Sequence, residues 1–315
     1  MMKFGILGDA KISREKLIPA IQTAGHDIIQ IGRRNPDTPS DNPLYDGMIQ
    51  SSYEDVLANP DIEAVYIPLP NHLHVPWTIR AIEAGKHVLC EKPIALNEAE
   101  LDQLEAAASA SNLYVYEGFM IRHHPQWTWI TEVDIGTPHA IQTHFCYPPR
   151  PAQDVRNVAE FGGGPIYDIG CYAIMAGVLL FGGAPEHISC HVEMDGDRGI
   201  EKLASGMLIW PEGRHLTFTV SSSSALSQMV HVIGSDGWAR LNIPFNPHGA
   251  TTAQWGQNTL GDDAERITFP ACDQYALMIA DFVAHAKAGT APDFTHSRAT
   301  TKTIDALLGA RKHAL

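Results

Sequence analysis

Between Lys3 and Tyr116 the chain repeats one pattern, a short apolar strand followed by a segment of helical periodicity, and nothing else in the sequence restricts the fold as much. Strand patterns occur at Lys3 to Leu7, Asp27 to Ile31, Asp61 to Leu69, Lys86 to Cys90 and Leu113 to Tyr116. Helical patterns occur at Lys11 to Thr23 (Ile12, Leu17, Ile18, Ile21), Tyr53 to Ala58 and Val75 to Ala84, and a longer one runs from an N-cap at Asn97 to Ala110. Gly85 follows the third helix as a C′ residue free to adopt positive φ. Such alternation predicts an α/β fold whose first part is a doubly wound, mostly parallel sheet. Residues 35 to 47 (Asn35, Pro36, Pro39, Pro43, Gly47) have little periodicity and read as a loop.

After about residue 120 the pattern changes. Helical segments surround Gly162-Gly163-Gly164 and continue through Leu180. Strands then dominate: His187 to Met194, Leu203 to Trp210, His215 to Ser221, Met229 to Ile233 and Trp238 to Ile243. The last two flank Gly234-Ser235-Asp236-Gly237, a hairpin signal, so the sheet is expected to be open and mostly antiparallel. Two helices close the chain, Gln274 to Ala288 and Arg298 to Ala314. The expected division is 1–120 and 121–315, two domains with separate cores in a chain of 315 residues.

The formal net charge of -14 argues against nucleic acid and anionic lipid as general partners. It leaves room for a local basic pocket. Five scattered cysteines without a CxxC pair (Cys90, Cys146, Cys171, Cys190, Cys272) read as reduced thiols. No run of about 18 apolar residues is expected to span a bilayer. A strand that begins at Lys3 leaves no room for a signal peptide, so a cytoplasmic protein is the default expectation.

The first strand runs into Gly8-Asp9-Ala10-Lys11-Ile12-Ser13. Against the dinucleotide pattern, Gly8, Ala10 and Ser13 take the three glycine positions. The match is degenerate, and an ordinary strand-to-helix turn explains it equally well. A helix start there, including Lys11 and Ile12, still offers N–H groups to a pyrophosphate. The second strand ends in Ile31-Gly32-Arg33-Arg34, with no acid to grip a ribose hydroxyl pair. Two guanidiniums suit a 2′-phosphate, so NADP is favoured over NAD. The third strand leads into Leu69-Pro70-Asn71-His72-Leu73-His74, expected to line the nicotinamide side. His72/His74 and His123-His124 superficially resemble metal ligands. No cysteine or carboxylate cluster accompanies them, and adjacent histidines in a strand point to opposite faces, so no metal is expected.

Two further clusters carry chemistry. Glu91-Lys92-Pro93 follows the strand at His87 to Cys90, which puts a lysine where open α/β sheets bind ligands. Asp168 and Tyr172 are four positions apart, on one face of a helix. A cation that approaches a phenol favours the phenolate and makes it a proton-transfer group.

Together, Gly8-Asp9-Ala10-Lys11-Ile12, Ile67-Pro68-Leu69-Pro70-Asn71, Ala84 through Pro93, Glu117 through Pro125, and Gly162-Gly163-Gly164 leading to Asp168-Ile169-Gly170-Cys171-Tyr172 resemble the Gfo/Idh/MocA oxidoreductase family over nearly the whole chain. The resemblance implies an N-terminal Rossmann domain and a C-terminal substrate-binding and oligomerisation domain. It further implies NAD(P)-dependent oxidation or reduction of a sugar, polyol or related cyclic alcohol, and a homodimer or homotetramer. It makes Lys92 the catalytic lysine, with Glu91 and His74 beside the cofactor and a Lys92-Pro93 bond that is often cis. Tyr172, where many members carry His, places the chain nearer the glucose-fructose, dihydrodiol and aldose dehydrogenase branch.

The expected chemistry follows. Tyr172 takes the hydroxyl proton as hydride leaves the same carbon, and returns it in reverse. Lys92 stabilises negative charge on that oxygen, and Asp168 hydrogen-bonds substrate or orients Lys92. Arg122, Arg156 and Asn157 are candidates for contacting substrate hydroxyls. Two alternatives stay open: a trans-dihydrodiol dehydrogenase, and a non-catalytic NADP-binding sensor. Trp127 and Trp255 could shape the pocket, the core or a subunit interface.

Overall fold

The computed structural model describes residues 1–259 and 263–310, which divide into two compact units. The first comprises Met1–Ala95, Ala99–Met120 and Asp273–Phe294; the second comprises Leu96–Glu98, Ile121–Cys272 and the described residues from Thr295.

The first unit contains six parallel strands: β1 (Lys3–Leu7), β2 (Asp27–Gly32), β3 (Ile49–Ser51), β4 (Ala64–Ile67), β5 (His87–Cys90) and β6 (Val115–Glu117). Their spatial order is β3-β2-β1-β4-β5-β6. The order therefore reverses between β1 and β4, and a crevice for a ligand opens outside their carboxyl ends. Four intervening helices, α1 (Ile18–Thr23), α2 (Tyr53–Ala58), α3 (His74–Glu83) and α4 (Glu98–Ser109), follow the sequence pattern within a residue or two, except that α1 is preceded by a π turn at Ser13–Leu17. α2 begins with a reciprocal capping box between Ser52 and Asp55. Leu7, Val65, Ile67, Val88 and Cys90 on the sheet pack with Val56, Val75, Leu101 and Leu104 from the helices.

One crossing was not expected from a contiguous division at 120. The helix Gln274–Ala288 packs with the first unit, where Phe282 is fully buried against Phe4 and Tyr114 at ring separations of 6.1 and 5.6 Å. The apolar stripe of that helix was visible in the sequence, but an apolar stripe does not specify which sheet it covers.

The second unit is built on eight strands: β7 (Pro138–Cys146), β8 (His187–Asp195), β9 (Ile200–Ile209), β10 (His215–Ser221), β11 (Ser227–Gly234), β12 (Trp238–Leu241), β13 (Thr251–Gly256) and β14 (Glu265–Phe269). They lie in the order β14-β13-β12-β11-β7-β10-β9-β8, antiparallel throughout except for the parallel pair β7/β10. The Gly234–Gly237 turn closes the β11/β12 hairpin with a 2.8 Å bond from the Gly234 N–H to the Gly237 carbonyl. Helices α5 (Pro125–Glu132), α6 (Cys171–Phe181) and α8 (Thr295–Ala310) belong to this unit, and Gln274–Ala288 is α7. The expected continuation of the last helix to Ala314 lies partly outside the described residues. The stretch Ala159–Phe181 is long and apolar enough to cross a membrane by length and composition, which corrects the expectation of no such run. It lies mostly buried inside the protein, because α6 is the core helix of this unit.

Candidate active site

In the first unit, β1 ends at Gly8, whose φ of +131° is open to glycine and strained for other residues. A Cβ there would stand 3.2 Å from Leu69 Cδ2, so this glycine also lets the β1 and β4 loops approach. The Gly8 N–H donates to the Gly32 carbonyl (3.1 Å), and the Ser13 hydroxyl reaches the Gly8 carbonyl (3.4 Å). The helix that follows starts at Lys11, which is exposed and 3.7 Å from Glu15. Ala10 and Ile12 are half-buried beside this turn. The turn is thus a tight strand-to-helix passage with a helix start at the switch point, as a dinucleotide pyrophosphate requires.

The end of β2 holds more than the two expected arginines. Arg33 Nη1 donates to Asp9 Oδ2 at 2.9 Å. Arg14 and the Tyr45 hydroxyl both donate to Asp9 Oδ1. Burial pushes the Asp9 carboxyl up, but the Tyr45 hydroxyl and the guanidiniums of Arg14 and Arg33 outweigh it and hold the group below the usual carboxylate range. Burial and the Asp9 charge push Tyr45 up to about 12. Arg34 is exposed. The Arg33 Nε is buried and has no hydrogen-bond partner among the described residues. A cationic cluster with an unused buried donor suits an anionic cofactor. Arg14 and Tyr45 were missed in the sequence: Arg14 lay on a helix face, and Tyr45 sits in a 3-10 turn (Pro43–Tyr45) inside a stretch without periodicity.

On the other side of the switch point, Leu69 and Pro70 lead into a 3-10 turn at Asn71–Leu73. His74 was expected to line the cofactor. Instead its ring is buried, with Nδ1 at 2.7 Å from the Pro93 carbonyl and Nε2 at 2.7 Å from the Leu69 carbonyl. It ties the β4 loop to the segment carrying Lys92, whose peptide bond to Pro93 is cis. Burial, reinforced by the nearby Lys92 charge, pushes His74 down to about 4 against the pull of the two carbonyls. Glu91 accepts a 2.7 Å bond from the buried Tyr66 hydroxyl, and Glu117 accepts one from the Ile94 N–H at 2.8 Å. Burial first, then the Glu91 charge, raise the Tyr66 phenol. Lys92 thus sits on a segment held by His74 and by two side chains the sequence did not single out as site residues, Tyr66 and Glu117.

In the second unit, Asp168 lies in a π turn (Ile166–Gly170) that continues into α6, and Tyr172 lies in the first turn of α6. Asp168 Oδ2 accepts from the Tyr147 hydroxyl (2.8 Å) and pairs with Arg156 Nε (3.0 Å). The Asp168 charge raises the Arg156 pKa. Burial, and then Asp168, raise the Tyr147 phenol. Arg156 therefore joins Asp168, as a candidate for the same site would, and Tyr147 is a member the sequence reading lacked. Tyr172 is buried, its ring 5.8 Å from Phe145 and 5.4 Å from Phe245. Trp127 belongs to the same core: its indole N–H donates to the Pro244 carbonyl (2.8 Å), and its ring stacks on Phe245. Trp255 stands on β13, paired with Ala239 across the strand.

The glycine triplet explains the entry into α6. Gly162 and Gly164 have φ of +75° and +103°. A Cβ on Gly163 would lie 2.6 Å from the Arg156 carbonyl, and one on Gly164 would lie 2.4 Å from Glu201 Oε1. Glu201, fully buried on β9, accepts from the Ile166 N–H at 3.0 Å. Asn157 donates to the Pro151 carbonyl within its own loop (2.8 Å). Arg122 lies in a 3-10 turn (Met120–His123). His124 is the N-cap of α5, its Nδ1 accepting from the Gln126 N–H, so the adjacent histidines are not in a strand as the metal argument assumed. Among the described residues no three His, Cys, Asp or Glu side chains gather to hold a metal.

Comparison with known proteins fits both halves. Residues 2–119 match the family model described as the Gfo/Idh/MocA oxidoreductase family, NAD-binding Rossmann fold, and residues 128–240 match the Gfo/Idh/MocA C-terminal domain. The chain is 31% identical to D-xylose 1-dehydrogenase (NADP(+)) 2 of Haloferax volcanii, over 97% of this chain and 96% of that one. It is 31% identical to a dTDP-3,4-didehydro-2,6-dideoxy-alpha-D-glucose 3-reductase of Actinomadura kijaniata, over 92% and 89% of the two chains. The crystal structure of KijD10, a 3-ketoreductase from Actinomadura kijaniata in complex with NADP and TDP-benzene, superposes with a TM-score of 0.88 at 29% identity, covering 97% of this chain and 96% of that chain.

Proposed function

The chain belongs to the Gfo/Idh/MocA oxidoreductase family, and from that premise we propose that it transfers a hydride between NADP and a sugar, polyol or related cyclic alcohol or carbonyl compound. The nicotinamide, when bound, accepts or supplies the hydride. Gly8, Ala10, Lys11 and Ile12 receive the pyrophosphate at the helix start, and Arg33 and Arg34, with Arg14, receive the 2′-phosphate. Leu69, Pro70 and Asn71 flank the nicotinamide, and His74 and Glu91 act through the segment they hold.

Tyr172 moves the proton at the reacting oxygen. Lys92 places an ammonium near that oxygen, where it favours the alkoxide and the phenolate alike. General acid-base help of this kind contributes about 10²–10⁴ in rate. Asp168, paired with Arg156, accepts a bond from a substrate hydroxyl. Arg122 and Asn157 remain secondary candidates for substrate contact.

The observation that carries this proposal is the company of Tyr172: a buried phenol one turn after a carboxylate clamped by Tyr147 and Arg156. Such a carboxylate suits a polyhydroxylated substrate. The Phe145 and Phe245 rings beside Tyr172 favour a second reading, a ring-borne trans-diol, with the same catalytic groups. A sensor without chemistry has no use for both Lys92 and Tyr172. The test is NADP-linked turnover on a panel of aldoses, polyols, keto-sugars and cyclic trans-diols, with Tyr172→Phe alongside. Loss of one phenol should lower kcat by about 10²-fold or more with NADP affinity nearly intact. Wild-type turnover in that variant would remove Tyr172 from the chemistry, and binding without turnover across the panel would favour the sensor.

A further inference from the structure

The end of β2 is where a Rossmann unit reads the adenosine ribose, and an arginine there accommodates a 2′-phosphate. Here Arg33, just past the end of β2, and Arg14 are both engaged by Asp9, the residue next to Gly8 on the strand-to-helix turn. The engagement is built in from several directions. One oxygen of Asp9 takes Tyr45 and Arg14, the other takes Arg33, and Arg14 also donates to the Asp9 backbone carbonyl at 2.9 Å. Arg33 Nη1 is further shared with Gln50 Oε1 at 3.4 Å. The side chains of Asp9 and Arg33 are only 23% and 17% exposed, so water screens this pair poorly.

A 2′-phosphate and the Asp9 carboxylate therefore want the same donors, and both are negative. We propose that Asp9 is a specificity-determining residue: it competes with the cofactor's 2′-phosphate for Arg14 and Arg33 and so sets how far this protein favours NADP over NAD. NAD carries no anion at that position, only an uncharged hydroxyl. The inference rests on the NADP assignment above and adds to it the residue that tunes it.

Electrostatics fixes the sign of the effect. A unit negative charge close to a dianion is repelled even at the dielectric of water, by an amount on the order of a tenfold change in affinity. Asparagine keeps the size of Asp9 and one acceptor oxygen, enough to hold Arg33 while Arg14 keeps its bond to the Asp9 backbone carbonyl, and the competing charge goes. The opposite role, in which Asp9 merely positions the arginines for the phosphate, predicts weaker NADP binding instead.

The experiment is calorimetric titration of wild type, Asp9→Asn and Asp9→Ser with NADP and with NAD, each variant first checked for cooperative thermal unfolding. Tightening of NADP by about tenfold with NAD changed by less than about twofold is expected for Asp9→Asn, and the same direction for Asp9→Ser. Arg33→Ala should loosen NADP in both the wild-type and the Asp9→Asn backgrounds. NADP affinity unchanged or weakened in both Asp9 variants, in a wild type that prefers NADP, overturns the role of Asp9 alone. A wild type that binds NAD as tightly as NADP overturns the cofactor assignment, and this inference with it.

Discussion

The His74 ring lies between the carbonyls of Leu69 and Pro93, and its charge state is coupled to stability. In the folded protein its pKa is about 4, whereas an unfolded chain holds it near 6.5. The unfolded state therefore binds a proton first as pH falls, and stability drops between about pH 6.5 and 4, by up to about 3 kcal/mol. Urea midpoints across this window should fall steeply for wild type. His74→Gln should be less stable at pH 7 and flatter with pH; a slope equal to wild type would show that another group carries the effect. The place of His74, at the carboxyl end of a strand beside the crevice, was legible from the sequence. Its direction was not, because a residue at a strand end can point into the cleft or back into the loop, and the two carbonyls that decide it are 5 and 19 positions away. Asp9 was hidden for a similar reason: its partner Tyr45 is 36 positions away, in a segment with no periodic signal.

At the scale of elements, the passage from the glycine triplet into α6 is a single device. Gly164 brings the chain against Glu201, whose carboxylate caps the Ile166 N–H at the start of the π turn. Gly164→Ala adds a methyl group at positive φ and displaces a buried carboxylate from its donor. It should cost about 2–4 kcal/mol, read as a lower urea midpoint, since both backbone strain and an unsatisfied buried group are involved. Full stability in that variant would mean that Glu201 can retreat without loss. The triplet, the spacing of Asp168 and Tyr172 and the β11/β12 hairpin could be read in advance because each is a local signal. β7 could not: it carries Thr143, buried at the centre of the sheet, where an alternating pattern calls for an apolar residue. β13 and β14 escaped too, the first because it buries Thr251 and Ala253 rather than large side chains, the second because most of its residues are not buried.

For the molecule as a whole, the division into two units is not a division of the sequence into two halves. The first unit recruits α7, and Phe282 fills the space beside Phe4 and Tyr114. A fragment of residues 1–120 should thus expose those rings and fail to unfold cooperatively, while the same fragment joined by a flexible linker to residues 273–294 should recover a sharp transition by circular dichroism. Phe→Ala at a fully buried position already costs about 3–5 kcal/mol, and removing the whole helix costs more. A cooperative transition in the short fragment would show that α7 is an accessory. Strand–helix alternation identified the first unit because it is periodic over a hundred residues; the returning helix has no such context.

The late position of α7 also bears on synthesis. At about 5–20 residues per second a ribosome takes roughly ten to thirty seconds to travel from the end of the first sheet to the helix that completes it. Through that interval Phe4 and Tyr114 on the nascent chain lack their partner, and a chaperone that holds apolar surface has a defined window in which to act.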